Sequence, residues 1–242
     1  MTDPTWIAKN LPTFLEWRTE MVLDKITMSP LNPDQYIREE TDKNMIFIHH
    51  TAGNEDPYGV IRWWNETPER VGTAFIIGGV PRRTTANWSD GEIIQAFNSK
   101  YWAYHLGLKQ SNMPPGSISS KDLNSKSIAI ELCNWGFLTK KGSRYYSYAN
   151  AEVPKDQVIE VNYRGYKYWQ SYTDAQLVSL KQLLQYLCEK YHIPKEFKGK
   201  SMFDINMKAF EGEHGIWTHT SVRTDKTDCY PHPQLIETLE SL

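Results

Sequence analysis

The sequence predicts an α/β fold: a central mixed β-sheet flanked by helices on both faces, with an N-terminal helical extension and an edge β-hairpin elaboration. Apolar segments of strand length, bounded by turn residues, alternate with helical patterns. These segments cover 45–48, 72–79, 91–97, 127–132 and 215–219. The stretch 137–172 differs, because it is rich in Tyr and Trp and alternates apolar with polar residues. It predicts one or two hairpins at the edge of the sheet.

Both ends of the chain carry helical patterns. Residues 5–25 place apolar side chains at helical spacing and predict one or two short helices. A turn cluster at 29–34 separates them from the first strong strand. About forty residues would be hard to stabilise alone, so we expect residues 1–44 to extend a single domain spanning 1–242. The segment 233–242 predicts a closing helix.

Two internal helices have recognisable starts. Pro57 suits the first turn of a helix that runs through Trp64. Thr173 and Gln176 form a capping box, which opens a helix that ends before Pro194. The apolar stripe of this second helix consists of Leu177, Leu180, Leu184 and Leu187.

Composition narrows the function classes. A net charge of −2 over 242 residues provides no electrostatic footprint for nucleic acid. No run approaches the ~20 apolar residues of a membrane span, and the N-terminus lacks the features of a secretion signal. We therefore expect synthesis in the cytoplasm, no membrane insertion and a monomer. The three cysteines, Cys133, Cys188 and Cys229, are odd in number and widely spaced, which favours reduced thiols over disulfides.

Several side chains point to a metal site. His49 and His50 end a buried strand, and the carboxyl edge of a sheet is where α/β folds bind ligands. With the distant His219 and Asp228 they offer nitrogen and oxygen donors that suit zinc with one position open. The alternative is a hydrogen-bonded histidine pair at a strand end. Glu131 lies in another apolar strand, where a carboxylate is costly unless it is paired or functional.

Four segments carry a family resemblance when they are taken in order. They are Ile48-His49-His50-Thr51-Ala52, Tyr104-His105-Leu106-Gly107, Ser127-Ile128-Ala129-Ile130-Glu131-Leu132, and His219 with Lys226-Thr227-Asp228. Together they resemble the motifs of type-2 N-acetylmuramoyl-L-alanine amidases, a zinc amidase fold shared with phage amidase-type lysozymes and peptidoglycan recognition proteins. The resemblance runs from Met45 to Leu242, with 1–44 and 137–172 as additions.

The resemblance implies a role for each matching position. One Zn²⁺ per chain would be held by His49, His219 and Asp228, with Cys229 as an alternative ligand one place later. Glu131 would be the general base, and Lys226 would stabilise the oxyanion unless it is a solvated surface residue. Candidates for the substrate groove, or for structure supporting it, are His50, His105 and Asn134. The remaining histidines, His192, His214 and His232, are interpreted as surface or packing residues.

Two positions depart from the family pattern. Thr73 stands where many members have an active-site tyrosine, which leaves more of the chemistry to Glu131. Thr220-Ser221 stands where a Ser-Asp pair usually follows the second ligand, so the local support of that ligand is expected to differ.

The resemblance implies zinc-dependent hydrolysis of the amide between N-acetylmuramic acid and L-alanine in peptidoglycan or muropeptides. We expect a phage-type endolysin that acts on the cell wall after release at lysis, because the aromatic insertion 137–172 could extend a groove for polymeric wall. The alternatives are a cytoplasmic muropeptide-recycling amidase and a non-catalytic peptidoglycan-binding module of the same fold.

Overall fold

The computed structural model describes residues 26–242, which form two β-sheets and five α-helices. The strands are β1 (Ile26–Met28), β2 (Met45–His50), β3 (Phe75–Ile77), β4 (Ile93–Gln95), β5 (Ser127–Leu132), β6 (Phe137–Lys141), β7 (Arg144–Tyr146), β8 (Glu152–Val153), β9 (Val158–Tyr163), β10 (Tyr166–Gln170) and β11 (Gly215–Thr218). The helices are α1 (Pro57–Glu66), α2 (Ser120–Ser125), α3 (Asp174–Tyr191), α4 (Met207–Phe210) and α5 (Pro233–Glu240). No helix within 26–242 has the length and apolar character needed to cross a membrane.

The main sheet has six strands in the order β1-β4-β3-β5-β2-β11. Only the β3–β4 pair is antiparallel, so the sheet is mixed, as the sequence predicts. All six residues of β2 are buried, because β2 lies between β5 and β11 and both faces of the sheet are covered. Its carboxyl end is therefore a protected edge on which side chains can converge.

Strand alternation assigns the two histidines of β2 to opposite faces. His49 pairs in register with Glu131 of β5, so these two side chains share a face, whereas His50 turns to the other. On the other side of β2, Thr218 is paired with Ile48, which brings His219 level with His49. The register alone thus places two imidazoles and one carboxylate on a single patch.

The predicted hairpins in 137–172 are present, but they form a second sheet and do not extend the edge of the first. This antiparallel sheet has five strands in the order β8-β7-β6-β10-β9. It attaches to the main core through Trp169, which is fully buried and stacks on Tyr230 with ring centroids 4.5 Å apart. The insertion is therefore part of the packed body.

Three of the five described helices, α1, α3 and α5, begin where the sequence predicts, whereas α2 and α4 were not predicted. Pro57 occupies the first turn of α1, and the capping box of α3 has both of its hydrogen bonds. Residues 233–240 form α5. The predicted helices over residues 5–25 lie outside the described residues. The edge strand β1 was not predicted, because three residues are too short to show alternation.

Candidate metal centre

Three donor atoms converge at the carboxyl edge of the main sheet. Nδ1 of His49 lies 3.1 Å from Nδ1 of His219 and 3.1 Å from Oδ2 of Asp228, and the last two atoms are 2.9 Å apart. All three side chains are buried. Neighbouring ligands on a tetrahedral zinc with bonds of about 2.0–2.2 Å lie about 3.3–3.6 Å apart, somewhat wider than this triangle. The triangle is close to that spacing, so this set of two nitrogens and one oxygen fits the ion.

The local chain explains how three distant residues meet. His49 and His219 come from the ends of adjacent parallel strands, so the sheet itself holds them together. Asp228 follows after a loop that returns to the same point. The loop is closed by a hydrogen bond of 3.1 Å in which the Thr220 N–H donates to the Asp228 carbonyl.

Hydrogen bonds behind the histidines point both Nδ1 lone pairs inward. His219 Nε2 donates to the Leu106 carbonyl at 3.0 Å, which leaves Nδ1 unprotonated in the neutral ring. His49 Nε2 lies 3.1 Å from His105 Nδ1, and His105 Nε2 lies 2.8 Å from Ser127 Oγ. Ser127 gives its only hydroxyl proton to the Leu123 carbonyl at 2.5 Å.

That carbonyl sets the direction of the whole chain of hydrogen bonds. Because Leu123 O can only accept, Ser127 accepts from His105 Nε2, and His105 Nδ1 accepts from His49 Nε2. His49 Nδ1 is then free for a metal. Donation from the outer nitrogen of a ligand histidine is the usual arrangement around protein-bound metals. His105, predicted to line or support the groove, has both ring nitrogens engaged and supports a ligand.

Electrostatics favours the ligand forms of two of these side chains. Burial, together with His219 nearby, lowers the pKa of His49 to about 4, so its imidazole is neutral at pH 7. Burial opposes ionisation of Asp228, but interactions with His219 and His49 outweigh it and hold the pKa of the carboxyl well below its usual range. A neutral imidazole beside an ionised carboxylate is what a divalent cation requires.

Glu131 is beside this group and lacks a partner. Its Oε2 is enclosed and accepts no hydrogen bond from any residue in 26–242. Burial raises the pKa of Glu131 well above its usual value; the nearby charge of Asp228 adds to the rise, and Lys226 opposes it. The alternative of a salt-bridged structural Glu is not supported, because Glu131 has no ion pair among the described residues. Lys226 is half-buried, not fully solvated.

Two predicted substrate contacts lie elsewhere. His50 is buried on the opposite face, 2.9 Å from the hydroxyl of Tyr172, and a Cβ at Gly136 would come within 2.6 Å of its Nε2. Asn134 is buried, donates to the carbonyls of Gln170 and Ser171, and accepts from the Gly136 N–H. His50 and Asn134 are both enclosed by protein, so the substrate contact assigned to His50 is corrected, and for Asn134 the structure favours the alternative of a supporting role.

Cys229 does not join the donor group found in residues 26–242. Burial raises the pKa of its thiol far above the usual range, although a hydrogen bond with Tyr172 opposes that rise. The structure therefore favours Asp228 over Cys229 as the third ligand.

Sequence reasoning missed two supporting residues. Ser127 was part of a quoted motif but had no assigned role, although it terminates the chain of hydrogen bonds behind His49. Arg223 donates through Nη1 to the carbonyls of Leu106 and Gly107, at 2.9 and 2.5 Å, and forms a two-pronged ion pair with Asp225. Contacts of this kind with backbone carbonyls leave no pattern in a single sequence.

The fold and the site together define an α/β protein with a candidate metal group at the carboxyl edge of its main sheet. The chain belongs to the N-acetylmuramoyl-L-alanine amidase family (Amidase_2), because the sequence model of that family matches residues 39–233. No curated protein matches the chain.

Solved structures are similar in fold at low sequence identity. PlyL is 14% identical, with a TM-score of 0.50 over 89% of this chain and 96% of that one. AMPDH3 from Pseudomonas aeruginosa is 15% identical, with a TM-score of 0.48 over 84% of this chain and 61% of that one. Hydrolase AmiA from Staphylococcus aureus is 10% identical, with a TM-score of 0.47 over 96% of this chain and 90% of that one.

Proposed function

We propose that this peptidoglycan amidase depends on zinc and cleaves the amide that joins the lactyl group of N-acetylmuramic acid to L-alanine. The observation that carries the proposal is the convergence of His49, His219 and Asp228 on one point, with donor atoms 2.9–3.1 Å apart. The resemblance implies that the non-catalytic binding modules of this fold usually lack the third ligand. The presence of Asp228 therefore favours an enzyme over such a module. Zinc held there supplies Lewis-acid chemistry, acidifying an attacking water and polarising a carbonyl.

The chain's own residues would handle the protons and charge. Glu131 accepts a proton from the attacking water and returns it to the leaving nitrogen of L-alanine as the C–N bond breaks. Burial raises the pKa of Glu131, and a higher pKa makes its carboxylate a stronger acceptor for the proton of the attacking water. The positive charge of Lys226 is near enough to lower the pKa of both Glu131 and His49. Lys226 therefore stabilises the oxyanion that forms on the scissile carbonyl.

We further propose that the protein is made in the cytoplasm and acts on the cell wall after release at lysis, as an endolysin. The second sheet supports this role, since it exposes the aromatic side chains of Tyr148 and Tyr166. Aromatic faces can stack on sugar rings. A recycling amidase would need only a small soluble muropeptide.

The test compares intact sacculi with a small soluble muropeptide. The protein is stripped with chelator, reloaded with zinc, and assayed by mass spectrometry for peptides with a new L-alanine amino end. We expect release only with zinc, faster on sacculi, and loss of release in Asp228→Ala. The exposed Asp156→Asn is the matched control.

Each other outcome contradicts a part of the proposal. Equal release with and without metal excludes zinc dependence. Faster turnover of the soluble muropeptide favours the recycling role over the endolysin role. Binding to sacculi without release identifies a non-catalytic module.

A further inference from the structure

The turn between β9 and β10 reaches the loop that carries two of the proposed active-site residues. Nη1 of Arg164 donates to the carbonyl of Arg223 at 2.6 Å and also lies within hydrogen-bond distance of the carbonyls of Thr224 and Lys226. Its Nη2 donates to the Thr220 carbonyl at 3.1 Å. One guanidinium thus contacts four carbonyls within 220–226, the segment that joins His219 to Asp228.

These contacts are largely shielded from water. The Arg164 side chain is 15% exposed, and Oδ1 of the mostly solvated Asp204 lies 3.4 Å from its Nη2. Arginine suits such a position because its planar fork presents several donors in fixed directions, whereas lysine offers a single nitrogen. Without the guanidinium, these inward-facing carbonyls would lose their donor, which destabilises a buried arrangement.

The backbone conformation at Arg164 is one that an arginine seldom adopts. Arg164 and Gly165 form a two-residue turn with φ of 46° and 83°. Both values are positive, as in the hairpin turn that strongly prefers Asn-Gly. A long side chain is disfavoured at φ near +50°, so turn chemistry alone does not explain an arginine here. Its contacts with the loop do.

The neighbours of Arg164 attach the same hairpin at two further points. The Tyr163 hydroxyl donates to the Phe203 carbonyl, in the segment between α3 and α4. Trp169 of β10 stacks on Tyr230, two residues beyond Asp228. The second sheet therefore contacts the chain on both sides of the third proposed ligand.

We propose that Arg164 is a positioning residue for the metal centre: it holds the 220–228 loop so that Asp228 and Lys226 are presented to the site. The second sheet, an addition to the family pattern, then supports the active site from outside. The hydrogen bonds of Arg164 carry the inference that it holds the loop. The expected effects on zinc affinity and turnover rest on the proposed zinc-dependent function.

The test uses Arg164→Asn, because Asn-Gly preserves the turn while removing the guanidinium. Hydrogen exchange of the metal-free full-length protein measures directly how firmly Arg164 holds the 220–228 loop. In Arg164→Asn the amides in 220–228 should exchange faster than in the wild type, and those of β9 and β10 should not. Zinc affinity, measured by competition with a chelator, should fall about 10- to 100-fold, as it does when support around metal ligands is removed. On soluble muropeptide, kcat should fall with little change in KM, and the cobalt-substituted protein should show an altered visible spectrum.

Two further variants complete the design. Arg164→Lys keeps the charge but reaches fewer carbonyls, so its zinc affinity should lie between those of the wild type and Arg164→Asn; it also serves if Arg164→Asn does not fold. Arg144→Asn removes an exposed arginine from the same sheet and should leave exchange in 220–228 and zinc affinity unchanged.

Three results would overturn the inference. Unchanged exchange in 220–228 would show that Arg164 does not hold the loop. Faster exchange with unchanged zinc affinity would show that holding the loop does not position the ligand. A wild type that binds no zinc would overturn both the proposed zinc-dependent function and the positioning role of Arg164. If the wild type depends on zinc and Arg164→Asn matches it in every measurement, only the positioning role is overturned.

Discussion

Glu131 is the residue whose surroundings say most about the chemistry. It shares a face with His49, its Oε2 has no partner in the described part of the chain, and its pKa is raised by burial. An enclosed carboxylate without a partner is unfavourable for stability. The proton-transfer role that we propose for Glu131 would account for its presence there.

Replacing Glu131 by Gln should separate catalysis from metal binding. The Glu131→Gln variant keeps the shape of the side chain but cannot accept a proton, so kcat should fall about 10²- to 10⁴-fold. Zinc content, measured by elemental analysis, should match the wild type because Glu131 is not one of the three converging ligands. Near-normal turnover would exclude Glu131 as the base, and the exposed Glu160→Gln is the control.

At this scale the sequence predicted the ligands better than their support. His49, Glu131, His219 and Asp228 were identifiable because each ends or follows a strand motif. His50 and Asn134 sit one and three residues from such positions, but strand alternation and local hydrogen bonds turn them into the protein. Residue type does not reveal which way a polar side chain at a strand end will face.

Among the elements, α5 has an unusual start. Its N-cap is His232, whose Nδ1 accepts from the Gln234 N–H at 3.2 Å and whose Nε2 lies 2.9 Å from the Ser171 hydroxyl. Burial lowers the pKa of His232 to about 4, with Asp174 opposing the shift. The imidazole must therefore stay neutral for the cap to form, which gives this helix a sensitivity to acid.

This coupling predicts how stability changes with pH. Between pH 6.5 and 4 the unfolded chain protonates His232 while the folded chain does not, so the free energy of unfolding falls as the pH falls. The largest loss from this one group is about 3 kcal/mol. His232→Asn keeps a capping acceptor and does not titrate, so urea unfolding of the metal-free variant should show a smaller difference between pH 7 and pH 4.5.

The matched control is His192→Asn at the C-cap of α3, which removes an exposed imidazole from a left-handed position that Asn tolerates. It should retain the pH dependence of the wild type. If His232→Asn and the wild type lose equal stability on acidification, the cap does not carry the effect.

Elements with a strong local signal were predictable. The capping box of α3 and the proline at the start of α1 act within a few residues, so the sequence displays them. The edge strand β1 pairs with β4, 67 residues further along the chain. Its three residues are too few to show the alternation of apolar and polar side chains that would predict a strand. The five-stranded arrangement of 137–172 likewise depends on pairing between hairpins.

Across the whole molecule, the metal group joins parts that are distant in sequence. His49 and Asp228 are 179 residues apart, and the donor set exists only when β2, β11 and the 220–228 loop are assembled. Zinc should therefore bind the folded chain far more tightly than the unfolded chain, and binding should stabilise the fold.

Metal removal should consequently lower the melting temperature. Free zinc at 1,000 times its Kd adds about 4 kcal/mol to the free energy of unfolding, which corresponds to roughly 10 °C for a chain of this size. Calorimetry with zinc and with chelator measures the shift, and Asp228→Ala should show little of it. A wild-type melting temperature that does not respond to zinc would contradict a metal centre at this site.

The sequence by itself determined the α/β class, the main strands and helices, and the amidase family resemblance, whose motifs include the three candidate ligands. These follow from periodicity, capping and short motifs, which are local properties of the chain. Only the tertiary structure decided which face each strand-end residue occupies, that His105 and Ser127 orient His49, and that Arg164 holds the ligand loop. Those relations depend on strand register and on contacts with backbone carbonyls, and carbonyls are the same in every residue.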